Sequence, residues 1–382
     1  MPIVSLSTDK KYLFDDTVGI YVEGTNGVPL YQCKASETEN KNYAQEWERP
    51  MYIEYFDKTH AEQFSFGLDV SISGQCSRHI PKKSFKFELD SKYGVKKLEY
   101  KLYPTKDINV LKDFKLKPGH RGFEIGEILT TALIEDGNLS VDYQAYRAVQ
   151  MFMNGDYWGV YNLREAKGTD YLKSNYPEID DDSIDIIKIN YDVKAGDMTA
   201  YRTLGGYIRE HDLSKDADYQ EILTMVDKDS FIDYMSIMIY SGNDDWIYSN
   251  NRCWREQKDD AKWRWMIDDV DRGFQEVVIG RDNFDSATKS GLLMTDLFIA
   301  LLKNSTFKSE FKSRFDTLLS TTFSPTNVEL LVDKIVNEKE GYMDLEKSRW
   351  GIDLAKFQDY ETKLRLFIAQ RSAVVKTQLD AF

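Results

Sequence analysis

The sequence predicts an α+β protein, and three observations lead to this prediction. Short runs of alternating apolar and polar residues, separated by turn residues, fill positions 1–164. From Leu292 onward, apolar residues recur every three or four positions, which is typical of helices. The 24 Tyr, 20 Phe and 7 Trp among 382 residues favour a sheet with strong cross-strand packing. We therefore expect a β-rich region over 1–164 and a mostly helical region over 165–382.

The overall charge excludes several classes of partner. The net charge is −14 at pH 7 and no long basic stripe occurs, so we expect neither nucleic acid nor an anionic membrane as a partner. No run of 18 apolar residues is present, so we expect no membrane span. Residues 1–8 lack the charged and apolar regions of a signal peptide. The sequence indicates no particular oligomeric state.

The cysteines and histidines do not form a metal-binding pattern. Cys33, Cys76 and Cys253 lie far apart in the sequence, which favours three buried thiols over a single disulfide. The four histidines also lack the spacing of metal ligands, so we do not expect a zinc site.

The first region is predicted to consist of strands joined by turns. Residues 18–23, 50–56 and 64–73 have the composition and alternation of strands. A turn of small residues then begins at Gly74. Its backbone amides, the Ser77 hydroxyl and the Arg78 guanidinium are suited to holding phosphate oxygens.

A strand rich in lysine follows this turn. Phe85, Phe87 and Leu89 fall on one face of the strand, and Lys86 falls on the other. Lys83 shares the apolar face and is predicted to point inward, where a lysine needs either an anionic partner or a route to solvent. Lys83 is therefore a candidate for binding a phosphorylated ligand.

A helix and a hairpin complete the β-rich region. Residues 123–137 carry an apolar stripe at helical spacing and end at a glycine. Residues 147–165 are predicted to form a hairpin, because Asn154-Gly155 suits a two-residue turn with positive φ. Its second strand ends at Arg164 and Glu165, where we expect a hinge and where Glu165 is a candidate for contacting a nucleotide.

The stretch over 241–251 is the strongest candidate for chemistry. It follows the apolar residues 231–240, which are predicted to form a buried helix capped by Asp229 or Ser230 and ended by Gly242. Asp245 and Asn250 then stand in the order Asp, four residues, Asn. Protein kinase catalytic loops use this spacing for their base and their metal-binding amide.

An acidic cluster lies shortly after this stretch. Two predicted strands, 252–255 and 262–267, lead directly to Asp268, Asp269 and Asp271. Mg²⁺ prefers carboxylate and amide oxygens, so the loop and the cluster together predict a metal site suited to phosphoryl transfer. A metal-dependent hydrolase would use the same acids and is an alternative.

Several stretches together resemble the CotH family of atypical kinases, which is typified by a spore coat protein. The Asn-Gly-Asp-Tyr-Trp-Gly-Val-Tyr run is specific, and the resemblance extends over nearly the whole chain. The matching stretches are 81–86 (PKKSFK), 154–165 (NGDYWGVYNLRE), 242–251 (GNDDWIYSNN) and 267–274 (IDDVDRGF), with weaker likeness at 2–6, 13–21 and 349–350.

The resemblance implies a divergent, bilobal protein-kinase-like fold that binds ATP with Mg²⁺ or Mn²⁺. It implies phosphorylation of Ser or Thr in protein substrates and an extracellular, cell-surface or spore-surface location. Asp245 would be the catalytic aspartate, Asn250 its metal-binding companion and Asp269 the metal-binding aspartate. Asp271 is the nearest rival of Asp269, and Asp268 is a weaker one.

The resemblance also implies a phosphate-binding lysine, for which Lys83 is the first candidate and Lys86 the rival. Two positions depart from the family's pattern. Ser73 stands where an arginine is expected, and Gln275 stands where a glycine is common. The alternative hypothesis is therefore a weak or inactive kinase fold that serves as a surface or adhesion module.

Overall fold

The computed structural model describes residues 1–29, 40–119, 125–180, 182–289, 291–352 and 354–382. It is an α+β protein, as predicted, and it divides into two compact units that are not contiguous in the sequence. The predicted boundary after residue 164 stays a prediction. The first unit comprises Met1–Glu124, Ala145–Asn175 and Val336–Gln358, and the second comprises Ile125–Gln144, Tyr176–Ile335 and Asp359–Phe382.

The strands lie mainly in the first half of the chain. They are β1 (Ile3–Ser7), β2 (Val28–Pro29), β3 (Asn40–Lys41), β4 (Arg49–Phe56), β5 (Glu62–Ser73), β6 (Ser84–Glu88), β7 (Leu98–Glu99), β8 (Val110–Leu111), β9 (Asp113–Lys117), β10 (Tyr146–Met153), β11 (Asp156–Glu165), β12 (Ile184–Lys188), β13 (Asp192–Ala195), β14 (Asn251–Glu256) and β15 (Arg264–Ile267).

The helices lie mainly in the second half. They are α1 (Lys10–Phe14), α2 (Gly126–Asp136), α3 (Thr169–Asn175), α4 (Thr199–Glu210), α5 (Asp216–Met225), α6 (Lys228–Ser241), α7 (Asn283–Ala287), α8 (Leu293–Leu301), α9 (Ser305–Ser320), α10 (Pro325–Glu340), α11 (Met343–Trp350) and α12 (Leu354–Ala381). The helix predicted over 123–137 is α2, and the first two predicted residues lie outside the described residues.

Seven strands of the first unit close into a barrel in the order β1-β10-β11-β9-β6-β5-β4. β1 and β10 are parallel, and the other neighbours are antiparallel. Phe87 pairs with Phe114, and both side chains are fully buried in the barrel core. Because side chains alternate across a strand, the neighbouring Lys86 and Lys115 lie on the outer face.

The hairpin of β10 and β11 has the turn that the sequence predicts. Asn154 and Gly155 connect the strands with φ angles of 51° and 87°. Both residues therefore adopt the left-handed conformation that a two-residue hairpin turn requires.

Two predictions about the first unit are wrong. Residues 18–23 form turns instead of a strand, because after α1 the Gly19 amide donates to the Asp15 carbonyl (2.8 Å). The cysteines are not three thiols, since Cys76 is disulfide-bonded. Cys253, in the second unit, is a buried free thiol as expected.

The second unit contains a four-stranded antiparallel sheet in the order β13-β12-β14-β15, together with most of the helices. Its α6 helix is the predicted buried helix, and every residue from Ser230 to Ser241 is buried. The cap is Asp227, whose side chain accepts from the Ser230 amide (3.0 Å), so the predicted caps Asp229 and Ser230 are wrong by two or three positions. Gly242 ends the helix in the left-handed conformation, as predicted.

Among the described residues, no helix is both long and apolar enough to cross a membrane.

Candidate functional site

The loop that carries Asp245 begins where α6 ends. Gly242 has φ of 66°, and a Cβ there would lie 3.1 Å from Val278, so both the backbone angle and the space favour glycine. Trp246 is buried and donates from Nε1 to the Tyr234 hydroxyl of α6 (3.0 Å). The loop is therefore anchored on the helix that precedes it.

Asp245 and Asn250 lie together, as the sequence predicts. The Asn250 amide Nδ2 donates to Asp245 Oδ2 at 3.2 Å. Asn250 is 8% exposed and Asp245 is half-buried. This hydrogen bond orients the carboxylate and leaves the second Asn250 side-chain atom, Oδ1, as an acceptor.

Asn243 joins the loop to the acidic cluster, a role that the sequence alone does not predict. Its Nδ2 donates to the Asp269 carbonyl (2.9 Å), and its Oδ1 accepts from the Asp245 amide (3.1 Å). Asn243 is 1% exposed, and a buried amide of this kind normally has its hydrogen bonds satisfied. In the sequence, the feature that indicates a structural role for Asn243 is its position directly after the glycine that ends the helix.

The three acids of the cluster have different surroundings. Asp268 is buried and forms ion pairs with Lys188 (2.8 Å) and Arg252 (3.1 Å). Asp269 and Asp271 are half-buried, and the Asp271 amide donates to Asp269 Oδ1 (3.1 Å). Asp268 therefore stabilises the sheet edge, whereas Asp269 belongs to the same hydrogen-bonded group as the loop.

Asp244 has a different environment from Asp245. The Arg272 guanidinium donates to both Asp244 oxygens, at 2.6 and 2.8 Å. Arg272 is exposed, so this bidentate pair lies at the surface. The pair also links the loop to the acidic cluster, and it distinguishes Asp244 as an ion-pairing residue.

The oxygens of this group are of the types that Mg²⁺ prefers, and Mg²⁺ needs fewer protein ligands than a metal coordinated by protein atoms alone. Within the described ranges, no three His, Cys, Asp or Glu residues are arranged to hold a metal ion. Mg²⁺ commonly keeps several waters and takes only one or two carboxylates. The Asp269 carboxylate and Asn250 Oδ1 are donors of the types that Mg²⁺ takes.

Arg371 of α12 holds the end of α6 in place. Its guanidinium is fully buried and donates to the carbonyls of Ile239 (2.6 Å) and Tyr240 (2.9 Å). It also donates to the carbonyls of Ile279 and Arg281 (2.8 and 2.7 Å). Burial lowers the pKa of Arg371 to about 10, so it stays charged at neutral pH. The helix end before Gly242 is thus fixed to the segment that follows the acidic cluster.

In the first unit, Arg78 fixes the glycine turn from within. Gly74 has φ of 106°, and a Cβ there would lie 2.2 Å from the Ser77 hydroxyl oxygen. Arg78 is buried and donates from Nε to the Gly74 carbonyl (2.6 Å). Its other nitrogens contact the Ala44 carbonyl (3.0 Å) and Glu46 (2.7 Å). Arg78 therefore stabilises the turn through its side chain.

Lys83 points inward, as predicted, and its hydrogen-bond partners among the described residues are carbonyl oxygens. Its Nζ donates to the carbonyls of Arg78 (2.5 Å) and Ile80 (3.1 Å) and lies 3.9 Å from the centre of the Tyr43 ring. Burial lowers the pKa of Lys83 to about 8. The Lys83 ammonium thus connects two backbone carbonyls at the end of the turn.

A row of cations crosses the outer face of the barrel, and Lys86 is its member among the candidates predicted from the sequence. Lys86 pairs with Lys115 in the strand register, and Lys115 pairs with Arg164. Lys86 contacts Glu88 and lies 3.9 Å from Asp113. Lys115 makes no hydrogen bond or ion pair with any described residue.

Lys115 has the most unfavourable environment of this row. Burial, followed by the charges of Lys117, Lys167 and Lys86, lowers its pKa to about 8. Like charges directly opposite each other on a sheet are destabilising. A row that persists despite this cost is suited to an anionic ligand. The strand register is needed to identify this row of cations, because Lys115 and Arg164 lie far apart in the sequence.

Glu165, the predicted nucleotide contact, is 1% exposed and holds several groups together. Its Oε2 accepts from the Ala145 amide (2.7 Å) and from Lys106 Nζ (2.8 Å). Its Oε1 accepts from Asn175 Nδ2 (2.7 Å). The structure places this carboxylate in a network inside the first unit.

The comparison with known families assigns the chain to a class. An Asp–Asn pair fixed beside an acidic segment, in an α+β protein, is an arrangement suited to phosphate chemistry. Residues 70–375 match the family model described as CotH kinase protein, and the chain belongs to this family. No curated protein matches the chain.

Proposed function

We propose that the protein is an ATP-dependent protein kinase with a divergent, bilobal kinase-like fold. It would transfer the γ-phosphate of ATP to Ser or Thr of protein substrates. The observation that carries this proposal is the Asp245–Asn250 pair, tied through Asn243 to Asp269. Membership of the CotH kinase family supports the same reaction class.

Asp245 is the proposed catalytic base. It would orient the attacking hydroxyl and accept its proton, as a catalytic-loop aspartate does. The hydrogen bond from Asn250 holds the carboxylate in one orientation, and its partial exposure leaves it accessible to a substrate. Asp244 is a weaker candidate, because both its oxygens already accept from Arg272.

Asp269 and Asn250 are the proposed residues for holding Mg²⁺ or Mn²⁺, and Asp271 is an adjacent carboxylate. The metal would supply positive charge to the nucleotide phosphates. Asp268 is not proposed for this role, because Lys188 and Arg252 already neutralise it. The Asp271 amide fixes the carboxylate of Asp269, and the Asn243 side chain fixes its backbone carbonyl.

In the first unit, Lys115 is the proposed phosphate-binding residue, with Lys86 and Arg164 beside it. Lys83 was the first candidate from the sequence, and its ammonium has two carbonyl partners that it would have to give up. Lys115 has no such partner among the described residues, and its pKa of about 8 leaves it charged at neutral pH. An anionic ligand would relieve the repulsion between neighbouring cations.

A phosphoryl-transfer assay with matched variants tests the proposal. The protein is incubated with Mg²⁺ and γ-labelled ATP, and label transferred to itself or to a mixture of Ser-containing proteins is measured. Asp245→Asn should lower the rate by about 10²–10⁴-fold, the range expected for a lost general base. Asp244→Asn is the control and should keep most of the activity, because it removes only a surface ion pair.

Two outcomes would contradict the proposal. One is full transfer by a folded Asp245→Asn protein. The other is wild-type protein that neither transfers phosphate nor binds nucleotide with Mg²⁺ or Mn²⁺. The second outcome would favour the alternative of a surface or adhesion module that keeps the fold.

A further inference from the structure

A surface pocket of about 190 Å³ lies within the second unit, apart from the residues assigned to catalysis. One face of α4, the turn between β12 and β13, and the start of α8 form its walls. Pockets that hold drug-sized ligands or cofactors measure about 300–1,000 Å³, so this one is too small for a nucleotide. Its size suits one or two amino-acid side chains.

A glycine inside α4 opens the floor of this pocket. Glycine weakens a helix interior, so its presence there needs a reason. A Cβ on Gly205 would lie 2.9 Å from Leu293 Cδ1 and 3.3 Å from an Arg209 nitrogen, Nη1. The absence of a side chain therefore lets α8 approach closely and lets the Arg209 guanidinium lie back along the helix.

Two arginines supply positive charge to the pocket. Arg202 and Arg209 are seven residues apart on α4 and so share one face. Neither guanidinium forms a hydrogen bond or ion pair with the described part of the chain. Both side chains are exposed at the pocket. In a chain with a net charge of −14, two neighbouring arginines without an ion pair among the described residues are suited to binding an external anion.

The nearby carboxylates are already engaged with backbone amides. Asp296 lines the pocket, and its Oδ1 accepts from the Gly291 amide (3.3 Å). Asp197 lies close enough to Arg202 to interact with it electrostatically. Its Oδ1 accepts from the Thr199 amide (2.6 Å), and this hydrogen bond is the main reason why its pKa is lowered.

The turn between β12 and β13 presents an aromatic ring at the pocket. Tyr191 is 80% exposed, so its ring is available to a ligand in the pocket. The turn is strained, because Ile189 is β-branched and has φ of 57°. Asn190 holds it by accepting from the Leu293 amide (2.9 Å). Strain that the surrounding hydrogen bonds maintain is typical of binding sites.

The same turn is connected to the proposed catalytic loop. The Ile189 amide donates to the Asn251 carbonyl (2.9 Å), next to Asn250. Lys188, one residue earlier, pairs with Asp268 (2.8 Å). The pocket and the catalytic loop are therefore anchored to the same strand end.

We propose that this pocket binds an acidic side chain of the protein substrate. Arg202 and Arg209 would hold the anion, and Tyr191 would pack against the neighbouring peptide residues. That the bound peptide is a substrate rests on the proposed kinase function, whereas binding of an acidic peptide to the pocket does not. The pocket would give the enzyme a preference for sequences with an acid near the phosphorylated residue.

Fluorescence anisotropy tests this proposal without relying on catalysis. The probe is a fluorescein-labelled peptide with glutamates flanked by leucines, and its control is the same peptide with glutamines. Wild-type protein should bind the glutamate peptide at least about tenfold more tightly, as expected for charge-assisted hydrogen bonds. Arg202→Gln/Arg209→Gln should remove this preference.

A matched variant controls for loss of charge. Lys303→Gln/Lys334→Gln removes two positive charges from exposed positions of the same unit and should bind like wild type. The proposal is overturned if wild type binds both peptides equally or if the arginine variant keeps the preference. Competition by inorganic phosphate as strong as by the peptide would also overturn it, because the pocket would then be a simple anion site.

The two proposals can fail separately. Asp245→Asn should bind the acidic peptide like wild type, since the pocket lies outside the catalytic group. Peptide binding in a protein without transfer activity would contradict the kinase proposal alone. Transfer activity without the acidic preference would contradict the pocket proposal alone.

Discussion

The two units concentrate charge in opposite ways. On the barrel of the first unit, Lys86, Lys115 and Arg164 stand directly beside one another across three strands. In the second unit, the concentrated charges are carboxylates, and hydrogen bonds from side chains and amides hold Asp245 and Asp269 in place. One region thus places cations side by side, and the other contains acids that hydrogen bonds orient.

Within the first unit, charged groups that stabilise the fold differ from those available for chemistry in the partners around them. Lys83 and Lys115 both have a pKa lowered to about 8 by burial. Lys83 donates to two carbonyls, whereas Lys115 has mostly like charges around it. A shifted pKa alone therefore does not identify a functional lysine, and the set of partners decides.

The largest effect expected from this contrast comes from replacing Lys115 by methionine, and Lys83→Met is its comparison. Lys115→Met should weaken binding of a non-hydrolysable ATP analogue by about 10–100-fold, because a charge-assisted hydrogen bond is lost. Lys83→Met should leave affinity nearly unchanged and lower the free energy of unfolding by about 1–3 kcal/mol, because carbonyls lose their donor. Titration calorimetry and chemical denaturation measure the two quantities.

The pH dependence sharpens the same prediction. Lys115 is charged below about pH 8 and neutral above it, so nucleotide affinity should fall between pH 7 and pH 9. Bound phosphate raises the lysine pKa, so binding at pH 8.5 should take up protons. Lys115→Met should lose this proton uptake. An unchanged affinity in Lys115→Met together with a loss in Lys83→Met would reverse the assignment.

A smaller effect is expected from the arginine that holds the end of α6. Arg371→Lys keeps a positive charge but cannot reach all four carbonyls, so the catalytic loop should become more mobile. We expect turnover to fall by about tenfold, because small displacements of catalytic groups are costly, while the KM for ATP changes little. Hydrogen exchange over 242–250 should increase.

Arg314 is a matched control for this prediction. It donates to both oxygens of Asp233 in the middle of the same helix, at 2.8 and 3.0 Å. Arg314→Lys should lower stability without changing turnover. Equal turnover in Arg371→Lys and wild type would mean that Arg371 only stabilises the fold.

Local features of the fold were predictable from the sequence. The Asn154-Gly155 turn, the buried helix before Gly242 and the strands leading to the acidic cluster each depend on short-range preferences. Residues 18–23 were assigned to a strand because their composition is strand-like. In the structure, hydrogen bonds back to α1 turn this segment instead.

The site was predictable only where its residues are close in sequence. The spacing of Asp245 and Asn250 places them together, and the structure joins them by a hydrogen bond. The neighbours of Asp268 and Lys115 come from other strands, so their roles depend on strand register. No pattern in the sequence encodes that register directly.

The central claim is that Asp269 and Asn250 hold the metal of a bound nucleotide. Its most direct test is calorimetric titration of a non-hydrolysable ATP analogue with and without Mg²⁺, using wild type, Asp269→Asn and Asp244→Asn. Mg²⁺ should strengthen binding to wild type and to Asp244→Asn, and it should have little effect on Asp269→Asn. The same strengthening by Mg²⁺ in a folded Asp269→Asn protein would contradict the claim.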